Sequence, residues 1–245
     1  MKLLILGGTR EANALASLLI ERGHDIMTSL AGRTREPRPP IGRFRVGGFG
    51  GVEGLAEHLM EEGFDALIDA THPFAQTITS NAIQAARLTN LPLMALWREP
   101  WARREGDDWR MVATIMEAAA ALPSNSKPLI ALGRQHVAPF LERTDLQLVL
   151  RSIEPIARIE GLPNVTAVRA RPASESSEEA RFMGDVGVTH VVSRNSGGAG
   201  AYAKIEAARM LGLPVIMIAR AASPEAYVGT IDEMVQWVEG LPSNA

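Results

Sequence analysis

The sequence predicts two α/β domains with mostly parallel sheets, and three observations carry that reading. Continuous apolar runs of strand length recur along the chain, amphipathic stretches of helix length separate them, and glycine-rich turns follow several of the runs. Strands buried on both faces and alternating with such helices form parallel βαβ units covered on each side of the sheet.

In order, Lys2–Leu6 is a continuous apolar strand, and Arg10–Arg22 carries apolar residues at helical spacing. Asp25–Ala31 predicts a second strand, and Arg35–Pro40 ("REPRPP") a loop, because consecutive prolines stop helices and remove strand donors. Phe44–Val46 is a short third strand, Val52–Glu62 a helix, "FDALIDAT" from Phe64 a fourth strand, Ala75–Thr89 a helix and "LPLMALW" from Leu91 a fifth strand. The charged stretch Arg98–Asp108 breaks the alternation, so the expected domains are 1–98 and 99–245. A second series then runs through "KPLIALG", a helix from Gln135, "LQLVLRS", "VTAVRAR", a helix over Ser174–Gly184, "VTHVVS", a helix over Ala201–Gly212, "LPVIMIAR" and a closing helix over Ile231–Glu239.

Composition narrows the function. The 245 residues carry a formal net charge of −3, which gives no global attraction to nucleic acid or a membrane surface. Neither a signal peptide nor a membrane-length apolar segment is read, and the absence of cysteine fits a reducing cytoplasm, so the expected location is cytoplasmic. The five histidines lie far apart, so no metal site is expected.

In open α/β sheets, ligands sit beyond the carboxyl ends of the strands. After the first strand comes Gly7-Gly8-Thr9, where glycines admit a phosphate close to the backbone and the next helix offers its free N–H groups. A plain tight turn is the competing reading. The second strand ends in "TSLAGRTR", with no carboxylate for a ribose. Its hydroxyls and guanidinium groups, Ser29 and Arg33 among them, suit the 2′-phosphate of NADP or else form a solvated basic loop. "GGFGG" (Gly47–Gly51), with Gly47, Gly48 and Phe49 leading, suits backbone passing close to a flat ligand or a flexible linker. "DATHPFA" ends the fourth strand with Asp69 and His72, an acid and an imidazole able to position or protonate a substrate, or simply a capped turn. In the second half, Gly133-Arg134-Gln135 and the run Arg194, Asn195, Ser196, Gly197, Gly198 with Lys204 behind it make an anion cradle at strand ends, joined by Arg151 and Arg220.

Five of these stretches, in order along nearly the whole chain, resemble the precorrin-6A reductases of cobalamin biosynthesis (the CobK/CbiJ family): "LLILGGTREANALA", "GGFGG", "DATHPFA", "LIALGRQ" and "SRNSGGAGAYAKIEAARMLGLPVIMIAR". The resemblance implies an NADPH-dependent oxidoreductase acting on CH–CH bonds, which reduces a macrocycle double bond of precorrin-6A to give precorrin-6B. It further implies two Rossmann-like domains with a strand exchanged between them, NADPH on the N-terminal one and a tetrapyrrole-derived polycarboxylate substrate in the cleft. Other cobalamin-pathway enzymes would be partners by product hand-over. On the matching positions, Gly7, Gly8, Thr9 and Arg10 would face the pyrophosphate, Ser29 and Arg33 the adenosine phosphate, and Gly47, Gly48 and Phe49 the adenine. Thr71, His72 and Pro73 would lie near the nicotinamide, with His72 and Asp69 as candidate proton carriers. Arg134, Gln135, Arg194, Asn195, Ser196, Gly197, Gly198 and Lys204 would meet substrate or the far end of the cofactor.

Three rivals stand beside this reading. A cobalt-bearing form of the substrate belongs to the anaerobic branch. A non-catalytic NADP-sensing module would need no second cationic rim. An S-adenosylmethionine methyltransferase would place an acid after the second strand.

Overall fold

The computed structural model describes residues 1–32, 40–153, 155–156, 159 and 161–242. The chain divides into two units, Met1–Glu99 with Ala221–Ala245, and Pro100–Arg220.

The first unit contains β1 (Lys2–Leu6), α1 (Arg10–Glu21), β2 (Asp25–Leu30), β3 (Arg43–Val46), α2 (Val52–Glu62), β4 (Ala66–Asp69), α3 (Gln76–Thr89) and β5 (Leu93–Leu96). The second contains β6 (Trp109–Val112), α4 (Ile115–Ala120), β7 (Pro128–Ile130), α5 (Ala138–Leu141), β8 (Leu148–Ser152), β9 (Val165–Arg169), α6 (Ser176–Val186), β10 (His190–Arg194), α7 (Ala203–Met210) and β11 (Val215–Ile218). The chain then returns to the first unit with β12 (Tyr227–Val228) and α8 (Ile231–Glu239).

Each sheet has six strands, ordered β3-β2-β1-β4-β5-β12 and β9-β8-β7-β10-β11-β6. All the pairings are parallel. Both follow the doubly wound 3-2-1-4-5-6 plan, but the sixth place is filled crosswise. The strand after β5 in the chain closes the second sheet, and the strand after β11 closes the first.

That exchange corrects the expected domain 99–245, because residues 221–245 belong to the first unit. The physical reason is local. β5 leaves an edge that β12 pairs in parallel, Tyr227 opposite Ala95 and Val228 opposite Leu96. The amphipathic α8 then buries Met234, Val235 and Val238 in a cluster with Leu3, Ile5, Leu15 and Leu19. Leu4 and Leu6 face the other side, into a cluster with Leu55, Leu59, Ala82 and Ala85. A strand covered on both faces reads as an unbroken apolar run for this reason.

Other elements also differ from expectation. The short elements β6, α4 and β12 lie where the sequence showed none, and they draw their stability from pairing and packing rather than from pattern. A short 3-10 turn, Arg134–His136, and then the one-turn α5 with Pro139 in its first turn replace the helix expected from Gln135. Arg98–Asp108 is no loose linker, since Trp101 and Asp107 in it are buried.

Candidate active site

The switch point of the first sheet lies between β1 and β4, where neighbouring strands continue to opposite faces. The turns from both strands meet there. Thr9 caps α1, its Oγ1 accepting from Ala12 N–H at 3.0 Å while donating to the Ala70 carbonyl at 2.8 Å. One hydroxyl thus ties the Gly7-Gly8-Thr9 turn to the Asp69–Pro73 turn. Two glycines serve two purposes. A Cβ on Gly7 would stand 2.8 Å from Thr28 Cγ2, so Gly7 is a packing requirement, whereas Gly8 has φ +104° and only open space where a Cβ would be. Gly8 therefore exposes backbone in a conformation that side chains disfavour, directly before the helix whose first amides lack intrahelical acceptors. Arg10 is exposed at the first helical position. The cradle fits a diphosphate.

Asp69, expected as a candidate proton carrier, is buried and engaged within the chain on both oxygens. Its Oδ1 accepts from Thr71 N–H at 3.0 Å and Thr71 Oγ1 at 2.6 Å, and its Oδ2 accepts from Thr79 Oγ1 at 2.6 Å. A buried carboxyl group engaged on both oxygens fixes the turn and the start of α3. His72 differs. Its Nδ1 accepts from Phe74 N–H at 3.3 Å, which places the proton of the neutral ring on Nε2. Pro73 is buried.

Arg33 lies outside the described residues, and a different guanidinium stands at Ser29. Arg45 on β3 is the register partner of Ser29 on β2. Its Nη1 donates to Ser29 Oγ and to the Gly47 carbonyl, and its Nη2 to the Gly48 carbonyl, each at 3.0 Å. The guanidinium lies 3.9 Å from the centre of the Phe49 ring. Ser29, Gly47, Gly48 and Phe49, expected separately, are gathered by this one side chain. Burial lowers the Arg45 pKa below its ordinary value without discharging it. Behind Phe49, His58 packs its ring at 5.2 Å, and burial, then Arg45, lowers its pKa below the ordinary histidine value. Gly54 permits the arrangement, because a Cβ there would come within 1.8 Å of the Phe49 carbonyl oxygen.

In the second unit the corresponding turns follow β7 and β10, which are neighbours. Arg134 and Gln135 are exposed on the turn after β7. After β10, Arg194 is half-buried, Ser196 is buried with its Oγ 3.4 Å from the Arg194 carbonyl, and Gly197 and Gly198 both have φ +67°. Asn195 is not presented to a ligand as expected. Its Oδ1 accepts from Trp101 N–H at 2.7 Å, its Nδ2 donates to the Trp101 carbonyl at 3.0 Å, and the Trp101 indole N–H donates to the Gly198 carbonyl at 2.7 Å. Lys204 departs from expectation too. It is buried, its Nζ donates to the Ala201 carbonyl at 2.9 Å and lies 5.2 Å from the Trp101 ring. Burial, assisted by Arg151 and opposed by Glu179, pushes its pKa down to about 8. Arg151 in turn holds Glu179 through Nη1 at 2.8 and 2.7 Å, both side chains buried, and Glu179 Oε1 also accepts from Ala173 N–H at 2.7 Å. A cavity of about 530 Å³ opens beside this turn, lined by Trp101, Arg104, Ser174, Gly198, Tyr202 and Glu206.

The model of the precorrin-6x reductase family CbiJ/CobK matches residues 2–239. The chain belongs to that family. Among its relatives, a precorrin-6A reductase of Rhodobacter capsulatus is 41% identical over 239 residues, covering 97% of this chain and 95% of its own length. A cobalt-precorrin-6A reductase of Priestia megaterium is 31% identical over 249 residues, covering 94% and 93%. A solved structure titled CobK precorrin-6A reductase superposes with a TM-score of 0.93 at 40% identity, over 98% of this chain and 96% of that one.

Against that CbiJ/CobK background, the side chains the sequence did not reveal are Arg45, Thr79, Trp101 and Glu179. Arg45 sits in "RFRVGGFGG" with nothing local to distinguish it from Arg43. Only the β2–β3 register sets one against Ser29 and the other against Met27. Trp101 lay in the stretch taken for a charged boundary, and its single aromatic ring was the available signal.

Proposed function

We propose that the chain reduces a ring double bond of precorrin-6A, with NADPH as the donor, in cobalamin biosynthesis. Membership of a reductase family supports the reaction class, and Arg45 is the observation that carries the choice of NADPH. A guanidinium held beside Ser29, at the sheet edge where dinucleotide folds place the adenosine ribose, replaces the acid that NAD-binding folds carry there. Three of its donor contacts are occupied within the chain, and a guanidinium has five, so N–H groups remain for a phosphate.

A bound nicotinamide supplies the hydride. The chain's own residues hold and align. The amides from Gly8 into the first turn of α1, with Arg10 beside them, take the pyrophosphate. Asp69, by fixing Thr71 and Thr79, keeps the turn after β4 rigid, and the N–H on His72 Nε2 is a hydrogen-bond donor that orients water, from which the reduced ring takes its proton. Arg134, Gln135, Arg194 and the Ser196–Gly198 turn receive carboxylates of the macrocycle, while Asn195 and Lys204 support that turn from below. The relatives named for the metal-free substrate share 37–41% identity with this chain, against 31% and 27% for two named for the cobalt form, which favours the metal-free substrate.

The test is loss of NADPH absorbance on mixing with precorrin-6A, compared with NADH. Arg45→Met is expected to weaken NADPH by about 10- to 100-fold, the worth of a charge-assisted contact, and to leave NADH unchanged. Equal weakening of both, or of neither, removes the role given to Arg45. Binding of NADP⁺ without turnover would favour the sensing module instead.

A further inference from the structure

We infer that Arg98 is a positioning residue for the cofactor's pyrophosphate and acts through Glu11. This rests on the cofactor reading above and adds to it a residue pair that stands outside the phosphate cradle itself.

Glu11 is the second residue of α1, in its first turn. A carboxylate there favours the helix, because it faces the positive end of the macrodipole. The same carboxylate opposes a diphosphate bound at the same helix end, since two like charges within one helical turn repel strongly where water is scarce. The fold answers this conflict with a third charge. Arg98 Nη1 lies 2.6 Å from Glu11 Oε2, with side-chain exposures of only 17% and 27%, so this is a sheltered pair rather than a loose surface one.

Arg98 is also held in place. It directly follows Trp97, which is buried and whose N–H donates to the Val228 carbonyl at 2.8 Å. Val228 belongs to β12, the strand returned from the end of the chain. The exchanged strand therefore anchors the backbone that delivers Arg98 to Glu11. A pair serving only to staple β5 to α1 would have the same geometry, but it would not set the sign of an effect on ligand binding.

That sign is the experiment. NADP⁺ is titrated calorimetrically into the full chain and its Arg98→Met, Glu11→Gln and doubly substituted forms, with melting curves for each. Removing the cation should raise Kd about three- to tenfold, and removing the anion should lower it about two- to threefold. The double variant should return to within about twofold of the unchanged protein, as a coupled pair does. Adenosine 2′-phosphate, which lacks the pyrophosphate, should bind all four forms alike. Should Arg98→Met fail to fold, tighter binding by Glu11→Gln alone still supports the inference. Unchanged affinity in Arg98→Met, or weaker binding in Glu11→Gln, overturns it. Failure of the unchanged protein to bind NADP⁺ overturns the cofactor reading and this inference together.

Discussion

The two switch points are built on one strand order and spend their side chains differently. At the first, the side chains that could compete for a ligand are satisfied from below: Asp69 by Thr71 and Thr79, Thr9 by Ala70 and Ala12. What faces outward is Gly8 backbone and the start of α1. At the second, the chain fills its own turn. Trp101 occupies both ends of the Asn195 amide and lies across Lys204, while Arg151 and Glu179 neutralise each other in the interior. A preformed anion cradle needs donors left outward, and a rigid glycine turn needs them spent inward. The same topology supports either, so the identity of a few side chains decides how many donors each turn spends inward and how many it leaves outward.

Glu179→Ala should break this comparison most severely. It strands a buried guanidinium and the Ala173 amide, and losing one partner of a buried pair costs about 3–5 kcal/mol. The expected result is a large loss of thermal stability with NADP⁺ affinity retained by calorimetry; joint loss would show that the two switch points are not separable. Asn195→Ala comes next. It leaves the Trp101 N–H and carbonyl without their partner, at about 2–4 kcal/mol for two buried groups. Here too the melting temperature should fall while cofactor binding holds, and an unshifted melt would return Asn195 to the ligand-binding set.

The smallest effect is a pH dependence from Lys204. Its folded pKa of about 8 lies below the ordinary lysine value of 10.5, so between those limits the folded chain binds fewer protons than the unfolded chain. Stability should therefore rise from pH 8 toward 10.5 through this group, and the rise should vanish in Lys204→Met. Difference melts of the two proteins across that window measure it. A rise of equal size in the variant would mean that Lys204 is not buried as a cation.

Much of this was legible in the residues. Strands covered on both faces announce themselves as unbroken apolar runs, and Gly7-Gly8-Thr9 and "DATHPFA" stand at strand ends wherever those strands pair. The burial of Asn195 and Lys204 was not legible, because a polar side chain at a strand end reads alike whether a ligand or Trp101 takes its hydrogen bonds. Nor was Arg45, since its partner Ser29 lies on another strand and only register brings them level.

By itself the sequence determined the layered α/β architecture, the two glycine-bearing rims and membership of a reductase family, because periodicity, turn chemistry and linear motifs are local properties. Tertiary structure alone decided that β12 and α8 close the first sheet, that Arg45 meets Ser29, and that Arg98 reaches Glu11. Each of these depends on which strand edges meet, and pairing between distant segments leaves no periodic trace in either one.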